Sequence, residues 1–98
     1  MAMPGDYSLY VETGIMTERV KVAVKTTADW SDCVFDDNYN LLTFKELEDY
    51  IKENHHLPEV PRAEDVVKSG LDLGRMNAIF LQKVEELTLY LLELKRGQ

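Results

Sequence analysis

The chain has 98 residues, of which 45% are hydrophobic, and it carries a net charge of −7. This length allows one small domain, or a small domain with a projecting helix. The acidic balance argues against nucleic acid and anionic membranes as partners, because both require basic patches. The single cysteine, Cys33, excludes an intrachain disulfide and a cysteine metal cluster. No apolar run is long enough to span a membrane.

The N-terminal quarter shows the alternation of apolar and polar residues that is typical of β-strands. Tyr7 to Glu12 is predicted to be a short strand. Ile15 to Lys25 is predicted to be a longer, half-buried strand with Val20, Val22 and Val24 on one face. This part of the chain is therefore expected to supply β-structure, followed by a polar link.

The remainder of the chain carries helix signals. Thr43 and Glu46 stand in capping-box spacing, and Asn54 is a plausible end for the helix that they begin. A short helix is predicted around Arg62 to Ser69, and Asp72 is placed to cap a long final helix. These residues predict three helices, of which the last is the longest.

The strongest pattern is a heptad seam along the last predicted helix, residues 72–96. Its residues alternate steps of four and three, the period of a coiled coil. They are Leu73, Asn77, Phe80, Val84, Leu87, Leu91 and Leu94. A helix cannot bury such a seam alone, so we predict an oligomer interface, with Asn77 fixing the register. Apolar residues beside the seam favour three strands over two, although some of them could pack on the chain's own short helices.

Two other groups of residues suggest chemistry but lack its remaining requirements. His55 and His56 are adjacent, so their side chains diverge, and no third metal ligand lies at a recognisable spacing. Ser31, Asp32 and Cys33 suggest a nucleophile, but neither a base nor an oxyanion hole is indicated nearby. We predict a turn with a buried cysteine, no catalytic or metal residue and no cofactor.

Several segments, taken in order, resemble a known family. They are Trp30 to Phe35, Leu47 to Ile51, His56 to Pro61, Leu71 to Asn77 and Lys83 to Tyr90. The set resembles the C-terminal domain of tail-fibre-like and surface proteins of Bacteroidetes bacteria and their phages. The resemblance covers nearly the whole chain, from about Tyr7 onward.

This resemblance implies that the chain closes the end of a long, trimeric, β-rich fibre. Such domains are similar in layout to the intramolecular chaperone domain of endosialidases and tail spikes, which trimerises through C-terminal helices. Self-cleaving members of that group use a serine and a lysine. Ser31 and Asp32 match only the start of that pattern, and no basic residue follows until Lys45. No catalytic role is therefore transferred.

Together these observations predict an α+β fold. Residues 1–32 would form the end of a β-rich shaft and its link, and residues 33–98 a helical assembly domain. The predicted function is non-enzymatic, chaperone-like trimerisation of a fibre or surface protein. The predicted partner is the same chain, as a homotrimer or alternatively a dimer, without nucleic acid or membrane. The expected location is a virion tail fibre, an injection particle or the cell surface, at the end of a longer chain.

Three alternatives remain open at this point. The chain could be a self-cleaving serine protease-chaperone, which mass spectrometry of a longer chain would reveal as cleavage before Ser31. It could be a receptor- or glycan-binding fibre tip that uses Tyr7, Tyr10 and Trp30. It could also be a passive cap in which the long helix packs only within its own chain.

Overall fold

The long C-terminal helix is the element against which the rest of the chain packs. The computed structural model describes residues 5–25, 30 and 33–97. Within them the chain forms helices α1 (Phe44–Asn54), α2 (Ala63–Ser69) and α3 (Leu73–Arg96). The molecule extends 52 × 29 × 24 Å with a radius of gyration of 17.1 Å, against about 13 Å for a compact domain of this length. The fold is therefore elongated along α3.

Helix α1 begins at the predicted capping box, which is confirmed. Thr43 Oγ1 accepts a hydrogen bond from the Glu46 N–H at 3.1 Å, and the Glu46 carboxylate accepts one from the Thr43 N–H at 2.9 Å. The hydrogen bond from the Thr43 backbone, followed by that from its side chain, lowers the pKa of Glu46. The left-handed residue that stops the helix is His55 (φ 60°), one position after the predicted Asn54, and its N–H donates to Ile51 O.

The boundaries of α2 and α3 also follow local signals. Gly70 ends α2 with a φ of 80°, a conformation that favours glycine. Asp72 caps α3 as predicted, because its Oδ1 accepts a hydrogen bond from the Arg75 N–H at 3.0 Å. The short link between the two helices therefore fixes where α3 starts.

The hydrophobic core of the single chain is small. Among the described residues, only Val34, Met76 and Ala78 are buried. The chain segments that precede α1 and α2 pack along one side of α3, where the Tyr90 hydroxyl donates to Leu42 O at 2.7 Å. A core of this size provides limited hydrophobic stabilisation to an isolated copy.

The prediction of an α+β fold with N-terminal strands was wrong. Within the described residues, neither Tyr7 to Glu12 nor Ile15 to Lys25 forms a strand. Alternation shows only which side chains can share a face, whereas a strand also needs a neighbour to pair its backbone groups. The described residues provide no such neighbour. Of the predicted polar link before residue 33, positions 26–29 and 31–32 lie outside the described residues.

One contact shows where this N-terminal segment lies. Residues 20–24, here called the valine segment, pass the first turn of α3 at Gly74. A Cβ atom at Gly74 would lie only 2.8 Å from Val22 Cγ1. Glycine at this position therefore permits a close approach that a side chain would prevent.

Candidate assembly surface

One row of side chains along α3 packs against the rest of its own chain. Met76 is 6% exposed, and the side chains of Lys83 and Glu86 are 13% and 16% exposed. Further along the helix, the Tyr90 ring packs on Phe44 with ring centroids 5.3 Å apart. Part of the broad apolar face predicted for this helix, at Met76 and Tyr90, therefore packs within the chain.

A polar group here called the Tyr39 cluster attaches two loops to this row. The Tyr39 hydroxyl donates to Glu86, and Gln82 Nε2 donates to Tyr39 Oη at 3.0 Å and to Glu59 Oε1 at 3.2 Å. Lys83 Nζ lies 3.0 Å from Glu86 Oε1 and 3.6 Å from Glu59 Oε1. These bonds fix the loops before α1 and α2 on one side of α3.

The electrostatics of the cluster keep Tyr39 a hydrogen-bond donor. Burial, followed by the hydrogen bond to the Glu86 carboxylate, raises the pKa of Tyr39 to about 12. Burial is also the main cause that raises the pKa of Tyr90, with a smaller contribution from Glu86. Both phenols are therefore protonated at neutral pH, as their observed hydrogen bonds require.

Glu59 belongs to this cluster and has an unusual backbone. It follows Pro58 in a turn closed by the Val60 N–H to Leu57 O bond at 3.2 Å, and its φ is 70°. Such a conformation favours glycine and costs other residues roughly 1–3 kcal/mol. The contacts of its carboxylate with Gln82 and Lys83 offset that cost. The sequence did not predict the contacts of Glu59 with Gln82 and Lys83, although Pro58 before it was a local signal for a turn.

The predicted seam residues lie on a different face of α3, which the single chain leaves uncovered. The six apolar members retain between 53% and 59% of their surface exposed. They are Leu73, Phe80, Val84, Leu87, Leu91 and Leu94. Asn77 is exposed beside them. An exposed apolar stripe of this kind is typical of interaction surfaces.

The paired histidines have separate structural roles. His55 provides the left-handed end of α1. The His56 ring packs edge-on against Tyr50 with centroids 5.7 Å apart, and its Nδ1 lies 2.8 Å from Leu57 O. Across the part of the chain that the structure describes, no group of three His, Cys, Asp or Glu side chains is arranged to hold a metal ion.

The predicted buried cysteine was wrong. Cys33 is exposed, and the neighbouring Val34 is 1% exposed in its place. Both residues are apolar enough for the interior, and sequence alone does not show which one faces it. Ser31 and Asp32, the other members of the suggested nucleophile group, lie outside the described residues.

The aromatic residues considered for glycan binding are spread along the N-terminal segment. Tyr7 is 71% exposed and Trp30 is 45% exposed. Tyr10 packs edge-on against Tyr7 and donates its hydroxyl to Gly5 O at 2.8 Å. The Tyr7–Tyr10 pair is thus a local contact, whereas the seam is continuous along α3.

Comparisons of the chain with protein-family models, curated proteins and solved structures gave no significant match. In residues 5–25, 30 and 33–97, no helix combines the length and apolar character that crossing a membrane requires.

Proposed function

We propose that the chain is a non-enzymatic assembly module in which α3 helices from three copies associate in parallel. The observation that supports this proposal is the row of six apolar seam side chains that are more than half exposed in the single chain. Their spacing matches the knobs of a coiled coil, which pack only against other helices.

The energetics favour association. Burying the exposed half of a Leu, Val or Phe side chain contributes about 1 kcal/mol, so six of them contribute several kcal/mol per chain before the entropic cost of binding. The few buried core residues leave an isolated copy only marginally stable. Association therefore supplies stabilisation that the core of one chain lacks.

The width of the apolar face favours three helices over two. Leu81 borders the seam at an e position, and its side chain is only partly covered in the single chain. A two-stranded coiled coil covers a narrow stripe, whereas three helices also cover residues beside it. Phe80, a bulky residue in the seam, requires the same additional space. A dimer is the alternative stoichiometry.

The assembly would act on the chain that precedes it. A helix with local contacts forms quickly, while pairing between distant segments is slow. Joining three ends first reduces the loop-closure cost of aligning the upstream chains. In this proposal the module serves at the end of a fibre or surface protein, in a virion tail fibre, an injection particle or at the cell surface.

A charge placed in the seam tests this proposal. We expect Leu87→Glu, at a position that is 58% exposed, to convert the oligomer to monomer, because three carboxylates would be buried together. Val67→Glu on α2 is the matched control, since Val67 is 88% exposed and lies outside the seam. Sedimentation equilibrium measures both masses. An unchanged oligomer in Leu87→Glu would contradict the proposal.

A further inference from the structure

The two edges of the seam differ near the end of α3. Tyr90 stands at a g position of the heptad and packs on Phe44 of its own chain, with ring centroids 5.3 Å apart. Phe44 remains 43% exposed, so part of this aromatic pair is accessible. At the other edge, Thr88 and Lys95 stand at e positions and are exposed. One edge is thus occupied by the start of α1, and the other is open.

The edge around Tyr90 is acidic. Burial is the main cause that raises the pKa of Tyr90, followed by the negative charges of Glu86, Glu93 and Glu46. Glu86 already bonds within the Tyr39 cluster, whereas Glu46 and Glu93 are exposed. In the part of the chain that the structure describes, neither of these two takes part in an ion pair. The edge therefore presents carboxylates that a cation can approach.

Lys95 is a cation without a carboxylate near it on its own helix. The residues three and four positions before it are Leu92 and Leu91, so the spacing of a helical ion pair is not met. Across the described residues Lys95 forms no ion pair, and its side chain is exposed. Its charge favours the end of the helix, as does that of Arg96, but this interaction leaves the ammonium group in water.

A parallel coiled coil brings the acidic edge and this cation together. Each g residue lies beside the e residue five positions later in the neighbouring helix, and side chains at these positions set the orientation of the helices. Tyr90 of one copy therefore lies beside Lys95 of the next. In an antiparallel pair, g positions face g positions, and Lys95 would lie at the far end of the partner helix from Tyr90.

We propose that the edge around Tyr90 binds Lys95 of a second copy of the chain and thereby selects the parallel orientation. The methylene groups of the lysine pack on the rings of Phe44 and Tyr90, and its ammonium group faces the carboxylates of Glu46 and Glu93. This inference rests on the proposed association of the α3 helices and adds the contact that orients them. It also makes the start of α1 part of the interface.

Reversing the charge of Lys95 tests the contact. We expect Lys95→Glu to weaken association several-fold at low salt, and less at high salt, because its carboxylate would be repelled by those of the neighbouring copy. Arg96→Glu is the matched control, since it makes the same charge change at an f position, which faces away from the seam. Glu93 lies three residues before Arg96, so the control carries the larger penalty within its own helix. Sedimentation equilibrium measures both variants.

Carbodiimide crosslinking tests the same contact in the unmodified chain. Copies labelled with a heavy isotope are mixed with unlabelled copies by unfolding and refolding, and mass spectrometry identifies links between the two kinds. We expect Lys95 to be linked to Glu46 or Glu93 of another copy several-fold more often than Lys68, an exposed lysine on α2. If the unmodified chain associates but either expected difference is missing, the inference is overturned and the proposed function stands. If the chain sediments as a monomer at every concentration, both are overturned.

Discussion

Asn77 is the polar residue of an otherwise apolar seam, and it is exposed in the single chain. Its amide loses water when the seam is covered, so it needs a partner in the interface. Identical parallel helices bring the amides together in only one alignment. A shifted register would leave them unpaired at a cost of about 1–3 kcal/mol for each buried polar group. In the proposed assembly, Asn77 would therefore determine register at the expense of affinity.

We expect Asn77→Leu to tighten association and to reduce its specificity, because an apolar side chain packs equally well in several alignments. Sedimentation velocity would show stronger association together with a broader distribution of oligomers. If both the strength and the stoichiometry of association are unchanged, Asn77 does not lie in the interface.

Tyr39 makes stability dependent on alkaline pH. Its pKa in the folded chain is raised to about 12 from the ordinary value of 10.0, so the folded state retains a proton that the unfolded state loses. Its contribution to stability is therefore fully present below pH 10 and is lost as the pH rises toward 12. The free energy of unfolding should fall across that range.

Tyr39→Phe provides the comparison, because other groups also titrate at high pH. We expect the variant to be less stable at neutral pH by about 1–2 kcal/mol, since Glu86 and Gln82 lose their hydrogen-bond partner. Its stability should then fall less steeply between pH 10 and 12. Urea unfolding at fixed chain concentration measures both effects, and equal slopes would contradict this role for Tyr39.

Helices α1 and α3 each begin at a side chain that is close in sequence to the backbone groups it caps. The capping box of α1 and the Asp72 cap of α3 both satisfy backbone N–H groups that have no partner within the helix. Helix α1 in turn places Phe44 against Tyr90. The stability of α1 is therefore coupled to the covered side of α3.

Removing the cap of α1 tests how much it contributes to the stability of the chain. We expect Thr43→Ala to lower the free energy of unfolding by about 1 kcal/mol, because the Glu46 N–H loses its acceptor. Thr17→Ala, in the non-helical N-terminal segment, should change it by less than about 0.5 kcal/mol. Thermal unfolding at one chain concentration measures both variants. Equal losses would show that the cap contributes nothing specific.

Sequence predicted these elements to different degrees, for physical reasons. The starts of the helices were predictable because Thr43 and Asp72 accept hydrogen bonds from backbone N–H groups only three residues later. The lack of a strand at Ile15 to Lys25 was not predictable, because a strand depends on a partner segment that can be far away in the chain or in another copy. That the seam residues share one face of α3 was predictable from their period. The Tyr39 cluster was not predictable, because it joins residues that are far apart in sequence and follow no local pattern.

At the scale of the whole molecule, the distribution of apolar surface is the main result. The 24-residue helix α3 leaves its six apolar seam residues more than half exposed, while only three of the described residues are buried. The Tyr39 cluster and the Phe44–Tyr90 contact hold the other side of α3 and keep the seam facing outward. The single chain is therefore expected to be the subunit of an assembly rather than its final form.

The molar mass of the unmodified chain in solution tests whether it assembles as a trimer. Light scattering on a sizing column, over a wide range of loading concentrations, separates a stable trimer from a monomer. We expect a mass three times the 11.3 kDa of one chain, with dissociation only at low concentration. A mass of 11.3 kDa at every concentration would contradict it.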